Sequence, residues 1–517
     1  MLFSVSRSLL SPLFYSLKAV TFVEDMTAEE KALKVEKIPA GLTNLGNTCY
    51  MNATVQCLRH LPELRDALRA VQLPPGVTLD RPGIMQLLAT HQQLPQVTQP
   101  LIPQVMAGSL SQTCTRLDGS GAAIEPVEFV HLLRAFFQQF DERSEQSGAH
   151  KQQDAEEFFS SIAGCLRQAL PGGPSPNSFE SVMGVELETT DVCQESADEP
   201  PVVRRERPGK LVCNISGGTA GTKVDRIDEG LRLAMEENGL IKTSELLGRN
   251  AIWTRRSRLA NLPRVICFQF MRFFWNATPG SADHAGVKAK IMRAVTYPDV
   301  MDVYDLCTPQ IQEALRANRI ADDKRLEEEM RIKRAKLSAE LKAESEGVAD
   351  MDVAGPSAGG GGVSKAAAAG GGGGGVSSGA GAGVAMEIEG AEDMDPDELA
   401  ALKAAMAFSV SGELPPTPTS SSGGSSGVSS VFGFAAPEDF LGYYELAAIV
   451  THKGRSADSG HYIGWARKAE GSDVWFKFDD ARVDECSTAD VLKLSGGGDH
   501  DTAYLNFYRM RTAKRHA

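Results

Sequence analysis

Cys49 is the residue of this sequence with the clearest capacity for nucleophilic chemistry. It ends a loop rich in glycine and asparagine, Gly-Leu-Thr-Asn-Leu-Gly-Asn-Thr-Cys-Tyr-Met-Asn at residues 41–52. Apolar residues recur at helical spacing from there, and Asn47 or Thr48 can cap the helix that they predict; they are Met51, Val55, Leu58 and Leu61. Cys49 would lie in the first turn, where backbone N–H groups and the helix dipole favour a thiolate, the nucleophilic form of the side chain.

Asn44 lies upstream in the same loop and carries a neutral amide donor. An oxyanion that forms near Cys49 could accept a hydrogen bond from this amide. The alternative is a buried structural cysteine that follows a glycine loop, which is the usual interpretation of a lone cysteine. The surrounding twelve residues favour the nucleophile.

A cysteine nucleophile needs a base, and the base needs a group that orients it. Of the nine histidines, His461 stands out because it lies in a strand-like run at residues 459–466. A second strand-like run at residues 474–478 follows and ends in Asp479 and Asp480. The turn between them, residues 468–473, contains a glycine and predicts a hairpin.

The hairpin register decides which carboxylate meets the imidazole. Pairing Arg467 with Val474 brings His461 level with Asp480, with Asp479 beside it. Side chains alternate between the two faces of a strand, so one carboxylate should meet His461, and a shift of one residue changes which one. The alternative is an exposed hairpin with a chance pair of aspartates. That alternative is favoured for the hairpin alone, but not when the cysteine segment is considered with it.

These two segments resemble the motifs of the ubiquitin-specific proteases, a family of papain-like cysteine deubiquitinases. A third segment that resembles this family is Gln-Gln-Asp-Ala-Glu-Glu-Phe-Phe at residues 152–159. The resemblance implies that Cys49 is the nucleophile, His461 the general base and acid, and Asn44 the oxyanion donor. It also prefers Asp479 over Asp480 as the orienting carboxylate.

The resemblance assigns substrate binding to the third segment. In the family, acidic residues of this motif contact the basic C-terminal tail of ubiquitin, which implies that role for Asp154 and Glu157, with Gln153 beside them. The alternative is a solvated helix start with Phe158 and Phe159 buried. Both can hold together, because one helix face can pack while the other binds.

Several further segments are similar to the proteasome-associated branch of the family; they are residues 22–27, 268–274, 304–309 and 494–498. The resemblance therefore implies the 26S proteasome as a partner beside ubiquitin and its conjugates. Members of that branch begin with a ubiquitin-like docking domain, and this sequence has no room for one before Phe22. That difference counts against proteasome docking.

Composition narrows the classes of function. The net charge of −14 argues against nucleic-acid binding and suits a partner with a basic tail. The nine cysteines include no C-x-x-C pair, so we expect neither a disulfide framework nor a structural metal. Many members of the family bind zinc through two such pairs, but Cys193 and Cys213 are too isolated for that site. We expect no cofactor and no membrane span.

The fold class implied is α+β: a papain-like cysteine protease with a helical thumb, a β-rich palm and fingers, and a long disordered insert. Residues 1–37 form an N-terminal tail and residues 38–337 the first part of the catalytic domain, with thumb, fingers and part of the palm. Residues 338–436 are the low-complexity insert, and residues 437–512 complete the palm with His461 and Asp479. Apolar spacing predicts helices at 62–71, 127–140 and 154–170, and strands at 182–190 and 264–274.

The insert contains a second informative segment at residues 395–413. Acidic residues and Pro396 precede an alanine-rich run, which is typical of a helix start. The run resembles a ubiquitin-interacting helix, and the residues along one side of it are Leu402, Ala405, Met406 and Ser409. Such a helix would dock in a groove, with the small Ala405 allowing close approach. A chance amphipathic helix in an acidic linker is the alternative.

The resemblance therefore implies a thiol-dependent hydrolase that cleaves after the C-terminal glycine of ubiquitin, in proteasome-linked recycling. A ubiquitin-binding regulatory scaffold with little free-state turnover is the alternative, and a papain-like peptidase with unrelated substrates is a second. The serine-rich N-terminus is similar to a transit peptide, but the remainder is typical of a cytoplasmic enzyme that also enters the nucleus.

Overall fold

The computed structural model describes residues 38–145, 147–172, 175–215, 223–276, 287–349, 437, 439–455, 459–498 and 500–511. The described residues up to 327 and from 437 onward belong to one compact unit, and residues 328–349 belong to a second. All of the elements below lie in the first unit except the later part of the last long helix, which continues into the second.

A helical layer comes first along the chain. It contains α1 (Cys49–Arg59), α2 (Pro62–Arg69), α3 (Arg81–Gln93), α4 (Pro95–Thr98), α5 (Ile102–Gly119), α6 (Val127–Phe136), α7 (Ala155–Ala169) and α8 (Phe179–Val182). Proline opens several of these helices at a position where its missing N–H is not needed, as Pro62 does in α2. The predicted helix over residues 127–140 instead ends at Phe136, and a 3-10 turn (Gln138–Asp141) follows.

A large mixed sheet forms the second layer, in the order β13-β12-β11-β10-β14-β6-β3, with β9 paired to β10. Its strands are β3 (Leu211–Cys213), β6 (Val265–Phe270), β9 (Val300–Asp302), β10 (Tyr443–Lys453), β11 (His461–Arg467), β12 (Val474–Asp479), β13 (Arg482–Ser487) and β14 (Thr502–Met510). One face packs on the helical layer and the other on a second core with α9 (Ile227–Met235) and the start of α10 (Pro309–Ala349). Both faces are thus buried, and neighbouring residues such as Tyr462 and Ile463 enter different cores.

A separate four-stranded sheet has the order β2-β1-β5-β4. Its strands are β1 (Leu187–Cys193), β2 (Val202–Glu206), β4 (Glu236–Ser244) and β5 (Arg249–Leu259). The side chain of Asp191 is fully buried in this sheet and is paired with Arg204 at 3.1 Å, Lys242 at 2.5 Å and Arg255 at 2.8 Å. Hydrogen bonds from Arg255 and Lys242 lower the pKa of this carboxyl to about 2, so the charge that joins the four strands persists at neutral pH.

The strand predicted at residues 182–190 begins later than expected. Ser178 caps a short helix by accepting a hydrogen bond from the Ser181 N–H at 3.1 Å, and Val182 is buried in the helical core. The strand starts only at Leu187. The predicted strand over residues 264–274 is divided into β6 and β7 (Phe273–Asn276), and β7 pairs with β8 (Val287–Lys290).

Helix α1 is brought against strand β11 by a glycine. A Cβ atom placed on Gly464 would lie 2.7 Å from the carbonyl oxygen of Ala53, so only glycine permits this approach. The Cys57 thiol adds contacts with the sheet, since its sulfur lies 3.2 Å from the carbonyl oxygen of Ile449 on β10 and 3.7 Å from that of Trp465 on β11. The amino end of α1 therefore faces the beginning of β11, where His461 lies.

Candidate active site

Cys49 is the first residue of α1 and is almost completely buried. The loop before it turns through two consecutive residues with positive φ, Gly46 at 89° and Asn47 at 53°. Glycine and asparagine tolerate this conformation better than other residues do. Two outside contacts hold the turn: Arg134 donates to the Gly46 carbonyl at 3.1 Å, and Asn47 donates to the His150 carbonyl at 2.7 Å.

The helix starts where the sequence predicts, but no side chain among the described residues caps it. Thr48 occupies the cap position without a capping hydrogen bond. Its hydroxyl instead accepts from the Leu45 N–H at 2.9 Å and donates to Asn44 Oδ1 at 3.4 Å. This leaves the backbone N–H groups of the first turn of α1 for a negative group beside Cys49.

His461 begins β11 and Asp479 ends β12, and the two side chains meet. His461 Nε2 lies 2.6 Å from Asp479 Oδ1. A hydrogen bond with the Cys49 side chain raises the pKa of His461 most, Asp479 raises it further, burial opposes both, and the resulting pKa is about 9. Since Nε2 faces Asp479, the other ring nitrogen remains for Cys49. The thiol, imidazole and carboxylate thus form one hydrogen-bonded chain.

The predicted hairpin register is wrong by one residue. The structure pairs Arg467 with Trp475 rather than with Val474. The reason lies in the turn, which closes when the Lys468 N–H donates to the Val474 carbonyl at 3.0 Å. His461 consequently does not stand level with Asp480, and its partner is Asp479.

Asp480 has a different set of contacts. Its Oδ2 accepts from the Asn44 amide at 2.9 Å, and its Oδ1 accepts from the Asn52 amide at 2.8 Å. Its own backbone has φ 52°, and its carbonyl accepts from the Leu42 N–H at 2.9 Å. Asp480 therefore binds both ends of the cysteine loop, a role that the sequence analysis missed because it treated the two aspartates as alternatives.

Asn44 is close to the thiol segment, but its amide group already has partners. The Nδ2 atom donates to Asp480, and Oδ1 accepts from the N–H groups of Gly46 at 3.0 Å and Thr48 at 3.2 Å. The amide orientation is thus fixed by the loop and by Asp480. A preoriented donor of this kind suits a developing negative charge because little reorganisation is needed.

The third predicted motif opens α7, beside the cysteine helix. Asp154 caps α7 by accepting from the Glu156 N–H at 2.8 Å, and it also accepts from the hydroxyl of Tyr504 at 2.8 Å. Glu157 is exposed in the first turn, while Phe158 is buried. Phe158 lies edge-on against Tyr50 with ring centroids 5.8 Å apart, which packs α7 against α1.

Gln153 precedes this cap and is partly buried. Its Nε2 atom is inaccessible to solvent and has no hydrogen-bond partner within the described part of the chain, and the same holds for Gln152. The motif therefore presents carboxylates at the start of a helix that packs on α1, the helix that carries Cys49, with Gln153 beside them. Packing of one face and exposure of the other occur together, as the sequence allowed.

Two sequence predictions fall elsewhere. The stripe of Leu402, Ala405, Met406 and Ser409 lies outside the described residues. The two cysteines considered for a metal site belong to separate clusters, since Cys193 packs with Trp253 and Cys213 packs in the second core of the large sheet. Within the described ranges, no helix is both long and apolar enough to cross a membrane.

A buried thiol at a helix start, joined to an imidazole and a carboxylate on a sheet, defines the class of cysteine hydrolases. The sequence profile of the ubiquitin carboxyl-terminal hydrolases matches residues 40–508. Ubiquitin carboxyl-terminal hydrolase 6 of Arabidopsis thaliana is 33% identical over 498 residues, covering 96% of this chain and 82% of the relative. The chain belongs to the ubiquitin carboxyl-terminal hydrolase family.

Other known proteins are similar to the chain as well. Ubiquitin carboxyl-terminal hydrolase 6 of Schizosaccharomyces pombe is 28% identical over 505 residues, which is 97% of this chain and 83% of that protein. A solved SAGA Ubp8/Sgf11/Sus1/Sgf73 DUB module bound to ubiquitin aldehyde has a TM-score of 0.47 and 17% identity, covering 92% of this chain and 71% of that one.

Proposed function

We propose that this cysteine-type ubiquitin hydrolase cleaves the bond after the C-terminal glycine of ubiquitin on conjugates, with Cys49 as nucleophile. The observation that carries this proposal is the chain of contacts from Cys49 through His461 to Asp479. Family membership supplies the substrate class. A ubiquitin-binding scaffold with little turnover is not favoured, since binding alone does not need these three groups in contact.

The reaction begins from a protonated His461 beside the Cys49 sulfur. The sulfur attacks the carbonyl carbon of the last ubiquitin glycine, and the electron pair of the C=O bond moves to oxygen. The tetrahedral intermediate collapses, the C–N bond breaks, and His461 gives its proton to the leaving amine. Asp479 keeps the imidazole oriented and stabilises its positive charge.

Deacylation completes the cycle. His461 is now neutral and takes a proton from water, whose oxygen attacks the thioester carbonyl. The C–S bond breaks, which restores the Cys49 sulfur and releases the ubiquitin C-terminus as a carboxylic acid that loses its remaining proton to solvent. Asn44 donates to the oxyanion in both steps, and Asp480 fixes the position of that amide.

The carboxylates at the start of α7 are proposed to bind the basic tail of ubiquitin. Glu157 is exposed in the first turn, and Asp154 stands beside it with Gln153. Substitution Glu157→Gln should raise KM for ubiquitin substrates several-fold and leave kcat nearly unchanged, because the contact is made equally in ground and transition states. A fall in kcat at constant KM would contradict this role.

We also propose that the enzyme acts in ubiquitin recycling at the 26S proteasome. Support comes from the segments of the sequence that resemble the proteasome-associated branch of the family, among them residues 304–309 and 494–498. Hydrolysis of a ubiquitin–fluorophore amide should increase when purified 26S proteasomes, with their own deubiquitinases inactivated, are added. No increase and no co-sedimentation would leave the hydrolase assignment intact and remove the proteasome from it.

Labelling with a ubiquitin whose C-terminus carries an electrophile tests the central proposal. Wild-type protein should gain the mass of one ubiquitin at Cys49, and Cys49→Ala should bind ubiquitin without being labelled or turning over substrate. A scaffold would bind without labelling. A peptidase with unrelated substrates would leave the probe untouched and cleave other proteins. Failure to label Cys49 with or without proteasomes would overturn the proposal.

A further inference from the structure

His452 is a buried histidine beside the active site that the proposed mechanism does not use. It lies at the penultimate position of β10 and is fully buried. Neither ring nitrogen has a hydrogen-bond partner among the residues that the structure describes. Burying an imidazole without hydrogen bonds costs free energy. The contribution of this ring must therefore come from its packing and not from its nitrogen atoms.

The ring of His452 packs against two aromatic rings, those of Tyr462 and Phe273. It lies 4.7 Å from the ring of Tyr462, centroid to centroid, and 5.3 Å from the ring of Phe273 in an edge-on arrangement. Tyr462 follows His461 in the chain and pairs with His452 across β10 and β11. Phe273 in turn lies 5.1 Å from the ring of Tyr504, whose hydroxyl donates to Asp154 at 2.8 Å.

The same ring contacts both stems of the loop that precedes His461. A Cβ atom on Gly460 would lie 2.5 Å from His452 Nε2, and one on Gly454 would lie 3.5 Å from its Cε1. Both glycines have positive φ, 146° and 124° respectively. The backbone at Gly460, directly before His461, therefore lies against the imidazole of His452. It has a conformation that only glycine adopts readily.

We propose that His452 is a positioning residue, whose ring fills the space beneath Gly460 and so fixes the backbone from which His461 reaches Cys49. The inference rests on the proposed hydrolase function and deepens it. The ring acts by volume and by being uncharged, and its nitrogens take no part in proton transfer.

The charges around the ring agree with this assignment. Burial, together with the smaller effects of the positive charges of Lys290 and His461, lowers the pKa of His452 to about 3. Lys290 itself donates to the His452 carbonyl at 2.6 Å. Because the His452 ring is neutral, Cys49 and Asp479 stabilise the positive charge of His461 without repulsion from this ring. A positively charged His452 beside it would repel that charge.

Steady-state hydrolysis of a ubiquitin–fluorophore amide by His452→Ala and His452→Phe tests the proposal. The Ala variant leaves Gly460 unsupported, so we expect kcat to fall at least tenfold with KM within about twofold and the high-pH limb of kcat/KM to move. The Phe variant keeps an uncharged ring of similar shape and should recover most of kcat and the original limb. His60→Ala is the matched control.

His60 is also a histidine whose pKa is lowered, to about 4, chiefly by burial, and its ring packs on Phe478 at 4.9 Å, at the far end of α1 from the thiol. Its substitution should lower the melting temperature as His452→Ala does while kcat and the pH limb stay unchanged. The inference is overturned if Phe is as impaired as Ala, if His60→Ala has the same kinetic effect, or if His452→Ala keeps full kcat. Labelling of the wild type by the ubiquitin electrophile tests the hydrolase proposal separately.

Discussion

His461 holds its proton more firmly than an ordinary histidine does. Its pKa rises from 6.5 to about 9 because Cys49 and Asp479 both favour the imidazolium. At neutral pH the ring is therefore charged in the resting enzyme and ready to protonate a leaving amine. Because the pKa is higher in the folded state, these contacts stabilise the fold fully below about pH 6.5, and their contribution is lost as the pH rises through about 9.

Asp479→Asn should change both the rate and its pH dependence. Removal of the carboxylate charge takes away one of the two groups that raise the pKa of His461, so the high-pH limb of kcat/KM should move from about 9 toward lower pH. The poorly oriented ring should also reduce kcat by roughly 10²–10⁴-fold. Stopped assays of ubiquitin–fluorophore amide hydrolysis between pH 6 and 10 would measure both.

Asp484→Asn serves as the control for this experiment, because Asp484 pairs with the exposed Arg482 on β13, next to β12, and should leave the profile unchanged. An Asp479→Asn limb that stays at the wild-type pH would mean that Asp479 does not set the pKa of His461.

At the level of elements, the thiol meets the imidazole because α1 lies unusually close to β11. Gly464→Ala would place a methyl group 2.7 Å from the Ala53 carbonyl oxygen, so helix and strand must separate. Overpacking of this kind costs about 1–3 kcal/mol. We expect a lower denaturation midpoint and slower labelling of Cys49 by the ubiquitin electrophile.

Gly119→Ala is the control, since a Cβ there would have no atom of the described residues within 4 Å. If Gly464→Ala labelled at the wild-type rate, the position of the thiol would not depend on this contact.

Asn506 is a polar residue in an apolar environment within the large sheet. It lies on β14 between Ile449 and Phe268 of the neighbouring strands, is fully buried, and has no side-chain hydrogen bond to the described part of the protein. Asn506→Leu has nearly the same shape without the cost of a desolvated amide, and should stabilise the fold by about 1–3 kcal/mol. Urea denaturation at constant m-value would show the gain.

Leu505→Asn on the same strand is the reverse control and should destabilise strongly, because it introduces a buried amide into the helical core. An unchanged or lower midpoint for Asn506→Leu would indicate that its amide is hydrogen-bonded, for instance through a buried water.

The parts of the site that the sequence predicts are those encoded in short contiguous segments. The start of α1 at Cys49 and the strand with His461 follow from loop composition and apolar spacing, and both are confirmed. The register of the hairpin was not predictable, because one hydrogen bond in the turn, from Lys468 to Val474, shifts every pair by one residue. Local patterns of apolar residues do not encode such a bond.

Contacts between distant segments were also beyond sequence reasoning. Asp480 is joined to Asn44 and Asn52, and the ring of His452 lies beneath Gly460 only because two strands pair in one register. Neither arrangement leaves a periodic signal. The sequence shows that Asp479 and Asp480 are adjacent, but it suggests that only one of them contacts His461. It does not indicate that the other carboxylate has a role of its own.

Across the whole molecule, the active site is assembled from two distant stretches of chain. Cys49 comes from the N-terminal stretch, whereas His461 and Asp479 come from residues after 436. The late strands are interleaved with the early ones, since β10 pairs with β9 and β14 pairs with β6. Side chains add to this pairing, with Asn318 donating to the Phe440 carbonyl at 3.0 Å and Arg319 to the Leu441 carbonyl at 2.9 Å.

This interleaving predicts that the chain can be cut without loss of the site. A recognition sequence for a specific protease, placed after residue 390 and cleaved in the native protein, should give two pieces that elute together. The cut protein should label at Cys49 within about twofold of the uncut rate, because the buried sheet holds the pieces together. The N-terminal piece expressed alone carries Cys49 without His461 and should not label. Separate elution of the cut pieces in native buffer would show that the paired strands do not suffice to hold the site.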